Sequence, residues 1–184
     1  MTMIASAMRF SAASMLLCAG LYTLTVFGVA RLASPAQAEG SLVRRADGTV
    51  VGSSLLAQAF HTPRYFWPRP SACGYDAAAG AGSNLSPNGD ALAVLAQQRV
   101  AAAGATADRP LPADLAAASG SGLDPHISLA AARFQIPRIA AARGVPEARV
   151  AALVDRLAYA AAWPFASDRI VEVLALNLAL DADT

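Results

Sequence analysis

Few side chains in this 184-residue chain have both the type and the company to do chemistry, and most of them sit in one stretch, SGSGLDPHIS, from Ser119 to Ser128. It holds hydroxyls at Ser119 and Ser121, a carboxylate at Asp124, then Pro125 and one of only two histidines, His126. Serine, histidine and aspartate are the parts of a nucleophilic hydrolase. That chemistry, however, needs its serine on a Gly-x-Ser-x-Gly elbow. Ser121 has Ser119 two positions before it, and Ser83 has Ala81, so both miss the pattern. A metal centre needs three or four clustered ligands, whereas His61, His126, Cys73 and Asp124 are scattered singly. The Gly-rich AAAGAGSNLS lacks the lysine of a phosphate loop. In fact the chain has no lysine, which removes Schiff-base chemistry as well. Asp124, Asp155, Glu172 and Asp181 lie in separate segments, so no pair is marked out for acid–base work. The spacing argues against a self-contained enzyme.

The elements that must position these residues follow from the flanking pattern. Pro125 pushes Asp124 out of the helical region and suits a first helical position itself. This predicts a helix with Asp124 as N-cap and His126 in the first turn, running through Gln135, interrupted at Pro137, and ending at Gly144. Upstream, Asp47-Gly48 between LVRR and TVV marks a hairpin. Ser53 or Ser54 can cap a short helix through Phe60 that Pro63 stops. FHTPRYFWPRPSA packs three prolines and four aromatics into residues 60–72. The prolines forbid a continuous helix or central strand, and the aromatics are too many to leave in water. This segment therefore packs against its own domain or faces a partner. A Gly/Ala-rich loop over residues 73–90 leads to a helix at about 91–103. A proline-broken link over 104–112 follows.

Beyond Val145-Pro146-Glu147, the spacing of Val150, Leu153, Val154 and Leu157 predicts a helix with one buried stripe. In RIVEVLALNLAL, leucines at 174, 176, 178 and 180 alternate as in a strand. Together these elements give an α+β domain with a hairpin, three helices and a late strand.

Charge and cysteine usage narrow the class further. The formal charge of +1 gives no reason to expect a nucleic-acid partner. Cys18 and Cys73 lie in segments of opposite character, so no disulfide framework supports the fold. Between Arg9 and Arg31 runs FSAASMLLCAGLYTLTVFGVA, free of charge and proline. As a helix it would extend about 30 Å, the thickness of a bilayer's hydrocarbon core. The reading is a short flank over 1–9, a transmembrane helix over 10–30, a linker over 31–40, a domain over 41–181 and a tail over 182–184. The rival is a signal peptide cut after Ala36-Gln37-Ala38, releasing an independent exported binding or hydrolytic protein. The apolar run is longer than a signal core of about 7–15 residues, and the cut site lies well beyond its end.

Taken in order, GTVVGSSLLAQAF, PRYFWPRPSA, GSNLSP, SGSGLDPHIS, QIPRIAAARG and VLALNLALD resemble the C-subunit (KdpC) family of the bacterial high-affinity potassium-transporting ATPase. The resemblance covers about residues 5–181 and includes the apolar span. It departs locally: Ser86 stands where glycine is usual, CGYDAAAGAG is short, and Tyr159–Phe165 lacks a polar, glycine-containing linker. The resemblance implies a single-pass inner-membrane protein with an extracytoplasmic α+β domain. Its implied partners are a potassium-binding channel-like subunit, a P-type ATPase subunit and a small hydrophobic subunit. The implied role is non-catalytic: aiding assembly and raising the nucleotide affinity of the ATPase subunit, as a catalytic chaperone. No cofactor of its own follows, and ATP enters only through the complex. The motif residues expected to contact a partner or hold structure are Arg64, Tyr65, Phe66, Trp67, Arg69, Ser83, Asn84, Ser119, Ser121, Asp124, Pro125 and His126.

Overall fold

The computed structural model describes residues 2–160 and 168–183, which divide into two units, one ending at Val51 and one beginning at Gly52. The first unit is dominated by α1, Thr2–Ala33, long and apolar enough to cross a membrane, with none of its apolar window buried in protein. It contains a π-helical stretch, Leu16–Tyr22. Thr23 Oγ1 donates to the Cys18 carbonyl at 3.3 Å and Thr25 Oγ1 to that of Leu21 at 2.8 Å. These bonds hide the hydroxyls inside the helix's own backbone, as a lipid environment requires. The helix extends beyond residues 10–30 at both ends. A short α2, Pro35–Ala38, follows, and Arg31 pairs with Glu39 at 2.8 Å.

The Asp-Gly hairpin forms as its sequence dictates, with β1 at Leu42–Arg44 and β2 at Val50–Ser53. Gly48 takes a φ of 83°, and the Asp47 carboxylate accepts the Thr49 N–H at 2.9 Å.

In the second unit the order is α3 (Asp90–Ala102), α4 (Ala113–Ala116), β3 (His126–Ser128), α5 (Leu129–Arg143), α6 (Glu147–Leu157), β4 (Tyr159–Ala160), β5 (Arg169–Glu172) and α7 (Val173–Ala182). β5 lies between β3 and β4, antiparallel to both, and pairs His126 with Glu172 and Ile127 with Val171. Ile127 and Val171 are both fully buried on one face of this small sheet. Against it pack Ala131, Ile136 and Ile139 of α5, Val150, Leu153 and Val154 of α6, and Leu176 and Leu180 of α7. The α6 stripe matches its predicted spacing.

Four expectations are corrected. The helix expected to start at Asp124 begins at Leu129, and His126 lies in β3. The Pro125 carbonyl accepts the Val173 N–H at 3.0 Å, and strand pairing holds the next three residues extended. Ser128 is the N-cap instead, its Oγ accepting the Ala131 N–H at 2.9 Å. The helix then runs unbroken through Pro137 to a left-handed Gly144 at φ 67°. The stretch after Ser53 is only a turn, Ser53 Oγ accepting the Leu55 N–H at 3.1 Å, because Ala57 N–H leaves to bond the Leu123 carbonyl at 2.9 Å. Finally, the alternating leucines do not make a long strand. Only Arg169–Glu172 is extended, and Val173, Leu176, Asn177 and Leu180 form a buried helical stripe. Leucine and alanine favour helix, and that stripe matches the i, i+3, i+4, i+7 spacing. Most of the Tyr159–Phe165 departure lies outside the described residues.

Candidate functional site

The aromatic, proline-rich segment is irregular and yet closely held. Phe66 has no solvent exposure. Its N–H donates to Asn177 Oδ1 at 2.8 Å and its carbonyl accepts from Asn177 Nδ2 at 3.0 Å. The next residue repeats the arrangement with another helix: Trp67 N–H donates to Gln135 Oε1 at 2.8 Å, and Gln135 Nε2 donates to the Trp67 carbonyl at 3.1 Å. Two buried side-chain amides thus replace the strand partners that Pro63, Pro68 and Pro70 deny this segment. They are the residues that the sequence reading missed. Their signal was present: a single amide inside an otherwise apolar helical stripe needs a buried partner.

Arginines complete the clamp. Arg143, its side chain 2% exposed, donates from Nε to the Arg64 carbonyl at 2.8 Å, from Nη1 to the Leu180 carbonyl, and from Nη2 to Asp181 at 2.8 Å. Tyr65 OH donates to the other Asp181 oxygen at 2.9 Å. Arg138 stacks 3.8 Å above the Trp67 ring and donates to the Pro63 carbonyl and to Gln135. Burial lowers Arg138 to about 10, which leaves it protonated at neutral pH.

The Gly-Ser motif is equally occupied. Ser119 N–H donates to the Pro70 carbonyl, while Ser119 Oγ accepts the Gly122 N–H at 3.0 Å and Ser121 Oγ accepts that of Leu123 at 3.1 Å. Gly122, at φ 70°, lies so close to the preceding Gly/Ala loop that an added Cβ would come within 2.6 Å of the Ala81 carbonyl oxygen and of Cys73 Sγ. A Cβ on Gly82 would come within 2.7 Å of the Gly120 carbonyl oxygen. Close packing of this kind fixes the loop and binds its hydroxyls internally. Ser83 and Asn84 remain exposed beside it, with Asn84 left-handed at φ 51°.

Asp124 links this motif to the aromatic segment. One carboxylate oxygen accepts Arg69 Nη1 at 3.1 Å; the other accepts the His126 N–H at 3.0 Å and lies 3.6 Å from His126 Nδ1. Half-burial works to raise this carboxyl, but the His126 and Arg69 contacts outweigh it and hold the group below its ordinary value. His126 Nε2 shares a 2.8 Å hydrogen bond with Tyr159 OH. Burial, helped by the Glu172 charge, raises the Tyr159 hydroxyl; burial likewise raises Glu172, against an opposing pull from His126. The cluster joins Arg69, Asp124, His126 and Tyr159 in one polar chain beside Glu172. Both motif hydroxyls bond to backbone N–H groups and to each other at 3.2 Å, rather than to His126. Among the described residues no group of three or more His, Cys, Asp or Glu could hold a metal ion.

Beside the clamp opens a cavity of about 590 Å³. Trp67, Tyr75 and Phe134 supply aromatic walls, and Arg99, Arg109 and Arg138 supply its charge.

The comparisons with known proteins bear on the whole chain. The family model described as "KdpC: K+-transporting ATPase, c chain" matches residues 4–182. The chain belongs to the KdpC family. A KdpC subunit of the potassium-transporting ATPase from Parvibaculum lavamentivorans is 52% identical over 176 residues, covering 96% of this chain and 94% of the relative. One from Caulobacter vibrioides is 52% identical over 166 residues, covering 88% and 83%. One from Janthinobacterium sp. is 46% identical over 174 residues, covering 90% of both. Membership of KdpC makes the chain a subunit of a potassium-transporting ATPase, and α1 supports a membrane location.

Proposed function

We propose that the chain is the non-catalytic, single-span subunit of an ATP-driven potassium uptake complex. The observation that carries this reading is the match to the KdpC family over residues 4–182, from the apolar helix to the end of α7. Residues 10–30 span the bilayer, 31–40 form a linker, and 41–181 form the extracytoplasmic domain, with a flank over 1–9 and a tail over 182–184. The chain works beside a potassium-binding channel-like subunit, a P-type ATPase subunit and a small hydrophobic one. It aids their assembly and raises the nucleotide affinity of the ATPase subunit.

The affinity effect is indirect. ATP is cytoplasmic while the domain faces the other side, so the coupling runs through the partners' conformations. A tenfold effect needs only about 1.4 kcal/mol of differential contact. The internal bonding of Ser119, Ser121, Asp124 and His126 supports a role without catalysis.

The test compares the purified complex with and without this chain. Loss of assembly, or a weaker apparent affinity for ATP at unchanged chemistry, is the expected result. Full assembly and unchanged ATP dependence without the chain would refute the reading. Asp108→Cys, in a chain with Ser at positions 18 and 73, reports the side: labelling by an impermeant thiol reagent in intact cells places the domain outside. Intact N-terminal residues on the mature chain exclude release after Ala38.

A further inference from the structure

The cavity beside the aromatic segment has an unusual charge balance. Three arginines line it, from α3 (Arg99), from the link after α3 (Arg109) and from α5 (Arg138), and among the described residues no Asp or Glu does. Among the described residues none of the three forms an ion pair. Each is instead tied to neutral oxygens: Arg99 Nη1 donates to the Ala116 carbonyl at 2.7 Å, Arg109 to the Phe134 carbonyl, and Arg138 to the Pro63 carbonyl and Gln135. Arg109 and Arg138 also stack on Phe134 and Trp67, at 4.4 and 3.8 Å from the ring centroids. Elsewhere Arg31, Arg69, Arg133, Arg143 and Arg149 have carboxylate partners, while Arg44 and Arg169 are bonded to carbonyls. What sets the cavity apart is that three such cations share one apolar-walled space. Carbonyl bonds hold the guanidiniums in place but leave their charge uncompensated, so the three cations are preorganised for an anion from outside the chain.

We infer that this cavity docks an acidic segment of a partner subunit, one apolar anchor residue flanked by carboxylates. The inference rests on the reading that the chain works inside a multisubunit complex. A carboxylate fits better than a phosphate. Arg99 and Arg109 each commit one donor to a carbonyl and Arg138 two, so each guanidinium keeps the paired N–H groups that a planar carboxylate takes. The apolar walls between them suit an attached side chain, which an inorganic phosphate lacks. The walls at Pro68 and Pro70 offer no N–H at all. The aromatic faces and a volume of about 590 Å³ accommodate an apolar side chain between the charges.

The experiment places a photo-crosslinking residue at Leu111, on the cavity wall, in the full chain within the purified complex. The expected product joins Leu111 to a partner-subunit segment carrying at least two Asp or Glu around an apolar residue. Arg99→Glu with Arg109→Glu should reduce that product about tenfold or more. Reversing the partner's acids to Arg should restore it, a rescue that a merely misfolded domain would not give. Arg109→Gln should give a smaller loss, and Arg156→Glu, outside the cavity, none. Crosslinks only to lipid, to a second copy of this chain or to a segment without acids would overturn the inference, as would no crosslink or one indifferent to charge reversal. If the chain still co-purifies with its partners in those cases, the proposed function stands. Failure to co-purify at all would sink both.

Discussion

The aromatic segment over residues 60–72 and the helix α3 make opposite bargains between regularity and order. α3 runs thirteen residues with intact helical bonding, and none of its residues is buried. The aromatic segment has no regular structure, yet it contributes the fully buried Phe66 and is gripped by helices on two sides. Backbone regularity satisfies hydrogen bonds locally and says little about attachment to the core. Burial with satisfied polar groups is what fixes a segment, and here Gln135 and Asn177 supply the satisfaction. The functional corollary is that the cavity has one rigid wall and one looser one, α3, each carrying arginine.

Substitutions can break that contrast, and denaturant unfolding of the full chain reads them. Phe66→Ala should cost most, about 3–5 kcal/mol, because it empties a fully enclosed site. Asn177→Ala should follow at about 2–4 kcal/mol, since it strands both the N–H and the carbonyl of Phe66. Gly122→Ala should cost about 2 kcal/mol, from its φ of 70° and the close Ala81 and Cys73 atoms. On the other side of the contrast, Val94→Ala in α3, a residue 50% exposed, should stay within about 0.5 kcal/mol. A cost there comparable to that of Asn177→Ala would erase the distinction.

The smallest expected effects are pH dependences around His126. Asp124 is lowered in the fold, so its contribution is complete above the ordinary carboxylate value of 3.8 and is lost as pH falls through the folded-state value. Glu172 is raised, so it acts the other way: stability declines as pH rises from its ordinary 4.5 through the folded-state value. Asp124→Asn should flatten the acid limb of the stability profile and Glu172→Gln the limb just above it. Exchange of those two outcomes would show that the signs are misassigned.

Much of this was legible in the sequence, and the failures share a cause. The helicity of the apolar span, the Asp-Gly hairpin, α6 and the Gly144 stop each depend on local chemistry, and the structure matches each of them, with the apolar helix longer than the expected 10–30. Asp124 does accept a nearby backbone N–H, as the expected cap would, but it is that of His126 at the start of a strand. Whether the chain after it becomes helix or strand depends on pairing with Arg169–Glu172, about forty-five residues away, and no local rule carries that information. The leucine alternation misled because leucines at every second position, with alanines between, fit a strand face and a broad helical stripe alike. Asn177 decides between them once its partner, the Phe66 peptide, is known. The cavity was invisible for the same reason: its three arginines come from segments that meet only in the folded domain.

Native-state hydrogen exchange on the full chain tests the central claim most directly, that the irregular aromatic segment belongs to the rigid centre of the domain. The amides of Phe66 and Trp67 should exchange as slowly as those of Ile139 and Val154, near the limit set by global unfolding, while those of Val94 to Gln98 exchange much faster through local opening. Fast exchange at Phe66 and Trp67, with α3 protected instead, would contradict the account.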